Sequence, residues 1–176
     1  AASDVYKRQL LGSLTTDRLV VQDQEAPYII ETGTLNHAAC SGVASAIDFI
    51  SSIGKGSSLR EKLESAYKQI SIHEFELAKH LYDSLQKEDK ITIIGQDFSS
   101  TKRTPTVSFV HSDFSPQDVC KKLASENICA WDGHFYALKA IQKLGLEPAG
   151  GVTRLGVSLY NTKLEIDRVV EVIKNL

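Results

Sequence analysis

The sequence predicts an α+β fold on three observations. Apolar residues recur at helical spacing from His37 to Leu85; the period becomes strand-like after Lys87-Glu88-Asp89-Lys90; and capping signals at Ser58, Ser115 and Thr162 mark the starts of three helices. With 176 residues, 42% of them hydrophobic, the chain is long enough for one compact domain, or for one domain and a piece of another.

The opening string AASDVYKRQ, residues 1–9, has no apolar period and reads as an artefactual leader, set aside from fold reasoning. From Leu10 to Thr34 the pattern is short and broken. A strand is expected at Arg18 to Gln22 and a turn around Gln24 to Pro27, with Tyr28-Ile29-Ile30 leading into Thr32-Gly33-Thr34 as connecting structure whose apolar surface is left exposed. Ala38, Ala39, Val43, Ala44, Ile47 and Ile50 then define a helix from His37 to Ile53 with one buried face and Asn36 as its cap.

Gly54-Lys55-Gly56 ends that helix, and Ser58 with Glu61 forms a capping box for a long one. Its stripe runs through Leu59, Leu63, Ala66, Ile70, Phe75, Ala78, Leu81 and Leu85, with Glu64 and Lys68 as an exposed i,i+4 pair. Strands are expected at Ile91 to Ile94 and Thr106 to Val110. Ser115-Pro116-Gln117-Asp118 opens a helix to about Asn127, Ile128 to Trp131 reads as a strand, and Gly133 to Leu144 reads as a helix stopped by Gly145. Val152 to Leu159 is extended, and Thr162 with Glu165 caps a last helix to Lys174. The domain boundary is expected within the long helix, between Ser58 and Glu88.

Charge and hydropathy exclude some partners. Twenty Lys+Arg against 22 Asp+Glu give a net charge of -2, with no basic stripe for a nucleic acid backbone. No apolar run approaches the roughly 20 residues that cross a bilayer, and no secretory signal is recognisable, so a cytoplasmic setting is expected. Cys40, Cys120 and Cys129 have neither C-x-x-C spacing nor paired histidines, so they are expected to be reduced packing thiols and no metal site is expected.

Three segments carry groups suited to chemistry. Glu31-Thr32-Gly33-Thr34-Leu35-Asn36 places a glycine and hydroxyls before a helix N-terminus, a setting for an anion or for ordinary capping. Gly150-Gly151-Val152-Thr153-Arg154 puts a bidentate guanidinium fork on a strand, for a carboxylate ligand or for a salt bridge. Trp131-Asp132-Gly133-His134-Phe135-Tyr136 crowds aromatics, an acid and a histidine into a turn, as a cleft wall or as a core Trp with a capping Asp.

Together these segments resemble the class V aminotransferases, specifically the C-terminal portion of a cysteine-desulfurase-like protein among the fold-type I pyridoxal-phosphate enzymes. The resemblance rests on ETGTLNHAACSGVASAIDFI from Glu31, RTPTVSF from Arg103, WDGHFYA from Trp131 and TRLGVSLYNTKLEID from Thr153, in matching order and spacing. It implies that residues 10–57 end a large pyridoxal-phosphate domain, 58–88 form a connecting helix and 89–176 form the small C-terminal α+β domain. It also implies pyridoxal 5'-phosphate as cofactor, an amino acid as substrate and a homodimer. Gly33 and Thr34 match the element that holds the cofactor phosphate of the neighbouring subunit, and Arg154 matches the arginine that clamps the substrate α-carboxylate. His134 and Tyr136 are candidate pocket residues, while Tyr160-Asn161-Thr162 is assigned to ending a strand and capping a helix.

Two departures shape the expected activity. The Schiff-base lysine of the family precedes the Gly-Thr element, and no lysine here has its context, so it is expected upstream and the chain alone is expected to be inactive. The persulfide-forming cysteine of desulfurases, in a loop of the R-x-G-x-x-C kind, aligns with Tyr136, and Cys129 is expected to be inert packing in a strand, so desulfuration is disfavoured. The alternative is a non-catalytic α+β module for protein association.

Overall fold

The structure, a computed structural model, describes residues 9–15, 17, 19–23, 25, 28–31, 33–99 and 103–176. The leader, apart from Gln9, and Arg18, Gln24, Ala26, Pro27 and Thr32 of the expected strand, turn and anion segment lie outside the described residues. The chain divides into two compact units, Ala1–Ser52 and Ile53–Leu176. The long helix therefore belongs with everything C-terminal to it.

In the first unit, residues 19–22 form a turn and not a strand, closed by the Gln22 N–H donating to the Leu19 carbonyl at 3.0 Å. An extended segment needs a neighbour for its peptide groups, and no strand lies beside it among the described residues of this unit. Tyr28 and Ile30 are about half exposed as expected, but Ile29 between them is buried. Helix α1 spans His37–Ile53, and Asn36 caps it by accepting the Ala39 N–H at 3.0 Å. Its expected buried face is not buried: none of its 17 residues is, and Val43, Ile47 and Phe49 are exposed.

The second unit begins with a close approach. A Cβ on Gly54 would lie 1.8 Å from the Lys62 carbonyl oxygen, so only glycine lets the chain turn against helix α2, Leu59–Leu85. Ser58 accepts the Glu61 N–H, and the Glu61 carboxylate reaches back to the Ser58 N–H. With the Ser57 hydroxyl and N–H also donating to it, that exposed carboxyl is held at a pKa of about 2. The i,i+4 pair that forms on this helix is Lys79 with Asp83, not Glu64 with Lys68.

Four antiparallel strands form one sheet in the order β1-β2-β4-β3: β1 Ile91–Ile94, β2 Thr106–His111, β3 Trp131–Gly133 and β4 Val152–Gly156. Alternation decides its two faces. Val107, Phe109 and Leu155 point into a core made with Leu81 and Leu85 of α2, Val119 and Leu123 of helix α3 (Pro116–Ser125), and Ile166, Val170 and Ile173 of helix α5 (Lys163–Lys174). Phe98 joins this core, 5.4 Å from the rings of both Phe75 and Tyr82. The fold is α+β, with helices covering one face of an antiparallel sheet.

Three boundaries differ from the sequence reading. The expected strand at Ile128 to Trp131 shifts to Trp131–Gly133. The expected helix from Gly133 shrinks to α4, Leu138–Lys143, because Gly133, Phe135 and Tyr136 have φ of 116°, 51° and 61°, left-handed values that no α-helix continues. Strand β4 stops at Gly156, opposite Thr106, because the next residue of the partner strand is Pro105. Its carbonyl accepts the Val157 N–H at 2.9 Å, but proline has no N–H to extend the ladder.

Candidate functional site

Arg154 sits in the middle of β4, opposite Ser108 of β2 on one side and Trp131 of β3 on the other. Residues directly opposite across a sheet share a face. Thr153 and Leu155 on either side are buried toward the helices, so Arg154, Ser108 and Trp131 belong to the face those helices leave uncovered. Arg154 is exposed, and Trp131 is 70% exposed. The Arg154 guanidinium carbon lies 3.8 Å from the centroid of the Phe135 ring, within cation–π range. Among the described residues no carboxylate pairs with it, so the planar fork keeps its donors for another partner.

The turn that delivers Phe135 is closed by local hydrogen bonds. The Tyr136 N–H donates to His134 Nδ1 at 3.1 Å, which makes Nδ1 the unprotonated nitrogen of that ring, and the Ala137 N–H donates to the His134 carbonyl at 2.7 Å. The His134 and Tyr136 rings meet edge to face with centroids 6.4 Å apart, and Tyr136 is fully exposed at 101%. Neither lines the cavity of about 380 Å³ in this unit, which opens between Leu81, Cys129, Val157, Tyr160, Asn161 and Arg168.

The thiols are placed differently from expectation. Cys129 is exposed and precedes β3, because Ile128 and Ala130 on either side pack against the core and alternation turns the residue between them outward. It is not the buried strand residue that the sequence suggested. Cys120 is partly buried on α3, where burial first and the Asp132 carboxylate second push its thiol up to about 11, the opposite of an activated nucleophile. Asp132 thus faces α3 and not Arg154.

Tyr160-Asn161-Thr162 does the work of a helix entry. Asn161 Oδ1 accepts the Ser158 N–H at 2.9 Å, its carbonyl meets His73 Nε2 at 2.9 Å, and Thr162 forms a capping box with Glu165, whose carboxyl is held below the usual range by the Thr162 N–H and hydroxyl. In the first unit, Gly33 and Thr34 are exposed shortly before α1, and a Cβ on Gly33 would meet nothing within 4 Å. A hydroxyl donor, an open approach and a helix N-terminus are a donor set that fits a phosphate.

The part of the site missed in the sequence is Phe135. It lies inside WDGHFYA without a role legible from the letters, and its one signal is its place in a turn after a short strand.

The sequence profile described as Aminotransferase class-V matches residues 6–169. The chain belongs to that family. Among curated proteins, this class V aminotransferase chain is 27% identical over 164 residues to a probable cysteine desulfurase of Methanothermobacter thermautotrophicus, covering 93% of the chain and 37% of that protein. It is 30% identical over 148 residues to a probable cysteine desulfurase of Halalkalibacterium halodurans, covering 84% of the chain and 32% of that protein. The chain spans about a third of the length of these relatives. Its fold matches part of the apo cysteine desulfurase of Thermococcus onnurineus NA1, with a TM-score of 0.71 at 23% identity over 91% of this chain and 36% of that one. A cysteine desulfurase of Escherichia coli matches with a TM-score of 0.66 at 22% identity, over 86% of this chain and 33% of that one.

Proposed function

We propose that this chain supplies the substrate-carboxylate site and a cofactor-phosphate contact of a pyridoxal 5'-phosphate-dependent enzyme acting on an amino acid. The observation that carries the reading is Arg154: an exposed guanidinium on the sheet face turned away from α2, α3 and α5, stacked on an aromatic ring and without a carboxylate partner among the described residues. Such a fork binds a carboxylate through two parallel charge-assisted hydrogen bonds and so fixes orientation as well as position. Orientation at Cα selects which bond breaks, because pyridoxal phosphate, when bound, withdraws electrons from whichever bond it is aligned with. Thr34 donates its hydroxyl, and Gly33 leaves the approach open, to the phosphate of a cofactor held by a second copy, which makes the working unit a homodimer.

In this reading residues 10–57 end the large domain, 58–88 connect, and 89–176 form the small domain. The reading places the enzyme in the cytoplasm; no described helix is long and apolar enough to cross a membrane. Tyr136 stands where a desulfurase carries its persulfide cysteine, so the reaction is transamination, elimination or another change at an amino acid rather than sulfur transfer.

The test joins this chain to the portion of the Methanothermobacter thermautotrophicus relative that it does not cover and follows the cofactor absorbance as amino acids are added. Losing a bidentate charged contact in Arg154→Leu is expected to weaken the half-saturating concentration on the order of 10- to 100-fold. An unchanged response would overturn the carboxylate role.

A further inference from the structure

The Arg154 fork is carried on a long flexible side chain, and a carboxylate site gains when that chain is ordered before the ligand arrives. Among the described residues Phe135 is the aromatic ring that stacks on the guanidinium, its centroid 3.8 Å from the guanidinium carbon. We propose that Phe135 is a positioning residue, its ring fixing the plane in which Arg154 presents its donors to a carboxylate. This rests on the reading of Arg154 as a carboxylate site.

The turn is built to aim that ring. Phe135 has a φ of 51° and Tyr136 one of 61°, a left-handed pair that bulky residues adopt only where their surroundings enforce it. Gly133 and Gly151 provide one constraint, since a Cβ on Gly151 would lie 2.3 Å from the Gly133 carbonyl oxygen and the two backbones close on each other. The bonds from the Tyr136 and Ala137 N–H groups to His134 provide another. Within the turn His134 and Tyr136 remain exposed and Phe135 alone is half-buried. A turn that served only to reverse the chain would satisfy its backbone with a glycine or asparagine at the left-handed positions; here a bulky ring is held there and laid on Arg154. The guanidinium carbon lies over the ring, and the N–H donors have no carboxylate partner among the described residues, with Ser108 and Trp131 as uncharged cross-strand neighbours.

The experiment uses the 176-residue chain with nitrogen-labelled arginine. The Arg154 Nε–Hε resonance is identified by its disappearance in Arg154→Leu, and L-alanine is titrated with L-alaninamide, which lacks the carboxylate, as control. In the unchanged chain the resonance is expected to be shifted upfield by the Phe135 ring and to move saturably with L-alanine only. Phe135→Leu is expected to return it to the position of an unstacked arginine and to raise the L-alanine midpoint roughly threefold, the scale of an exposed cation–π contact. Phe135→Trp restores both readouts. Phe135→Asn, which suits a φ of 51° and removes the ring without backbone cost, gives the same loss as Leu and guards against a Leu variant that disturbs the fold. A midpoint unchanged in Phe135→Leu and Phe135→Asn overturns the positioning role, whether or not the resonance moves. The reading of Arg154 fails separately: L-alanine then produces no saturable shift, or the other chain signals that respond to it respond equally in Arg154→Leu.

Discussion

Helices α1 and α5 look alike in the sequence and behave differently in the molecule. Each has a capping side chain and an apolar stripe at helical spacing, yet α5 buries Ile166, Val170 and Ile173 in the core of its unit while α1 buries nothing and leaves Val43, Ile47 and Phe49 exposed. An amphipathic period records that a face is suited to be covered. It does not record which atoms cover it. In α5 the cover is α2 and α3 of the same unit; for α1 the reading of this chain as part of a larger enzyme assigns the cover to the large domain.

The sharpest way to break that contrast is to truncate one large ring from each side. Phe109→Ala, at a fully buried position, is expected to destabilise the second unit by about 3–5 kcal/mol, whereas Phe49→Ala on α1 is expected to change stability by less than about 0.5 kcal/mol, both read from urea unfolding of the chain. A large loss from Phe49→Ala would mean that the α1 stripe is already engaged within this chain.

A smaller effect separates capping from burial. Removing the hydroxyl in Ser58→Ala is expected to cost about 1 kcal/mol, because Ser58 satisfies an orphan N–H at the start of α2 whether or not the first turn is buried. Its partner Glu61 adds a pH signature. Its folded pKa of about 2 lies below the unfolded value, so the stabilisation is complete above the ordinary glutamate range and is lost as pH falls toward 2. The stability difference between the unchanged chain and Glu61→Gln is therefore expected at pH 6 and expected to vanish near pH 2; a difference independent of pH would remove the charge from the account.

The smallest effect compares thiols. At pH 8 a disulfide reagent is expected to modify exposed Cys40 and Cys129 readily and Cys120 on the order of tenfold or more slowly, since burial and Asp132 hold the Cys120 thiol at about 11. Site-resolved mass spectrometry reads the three rates, and a fast Cys120 would show that α3 opens easily from the sheet.

The strands of this chain show where local reading stops. Ile91–Ile94 and Thr106–His111 are β-branched or aromatic runs with turn residues around them, and their positions were legible. The expected strand at Arg18 to Gln22 had the same look and is a turn over its described residues, because pairing is a property of two segments and no second strand lies among the described residues of its unit. The expected helix from Gly133 failed for the opposite reason: its residues favour helix well enough, but the closure of Gly151 onto Gly133 and the bonds to His134 hold Phe135 and Tyr136 in left-handed conformations. The same alternation that turns Cys129 outward was written in Ile128-Cys129-Ala130, though the strand boundary hid it.

By itself the sequence determined the helices that start at His37, Leu59, Pro116 and Lys163, their caps and the family, since caps and periods are set by neighbours three and four residues away and the family by motifs in order. The pairing of Arg154 with Ser108 and Trp131, the covered and uncovered faces of the sheet, and the Phe135 ring on the guanidinium were decided only by the tertiary structure. These join residues from separate strands and a strained turn, and such meetings depend on register and on close backbone approach, which no local spacing encodes.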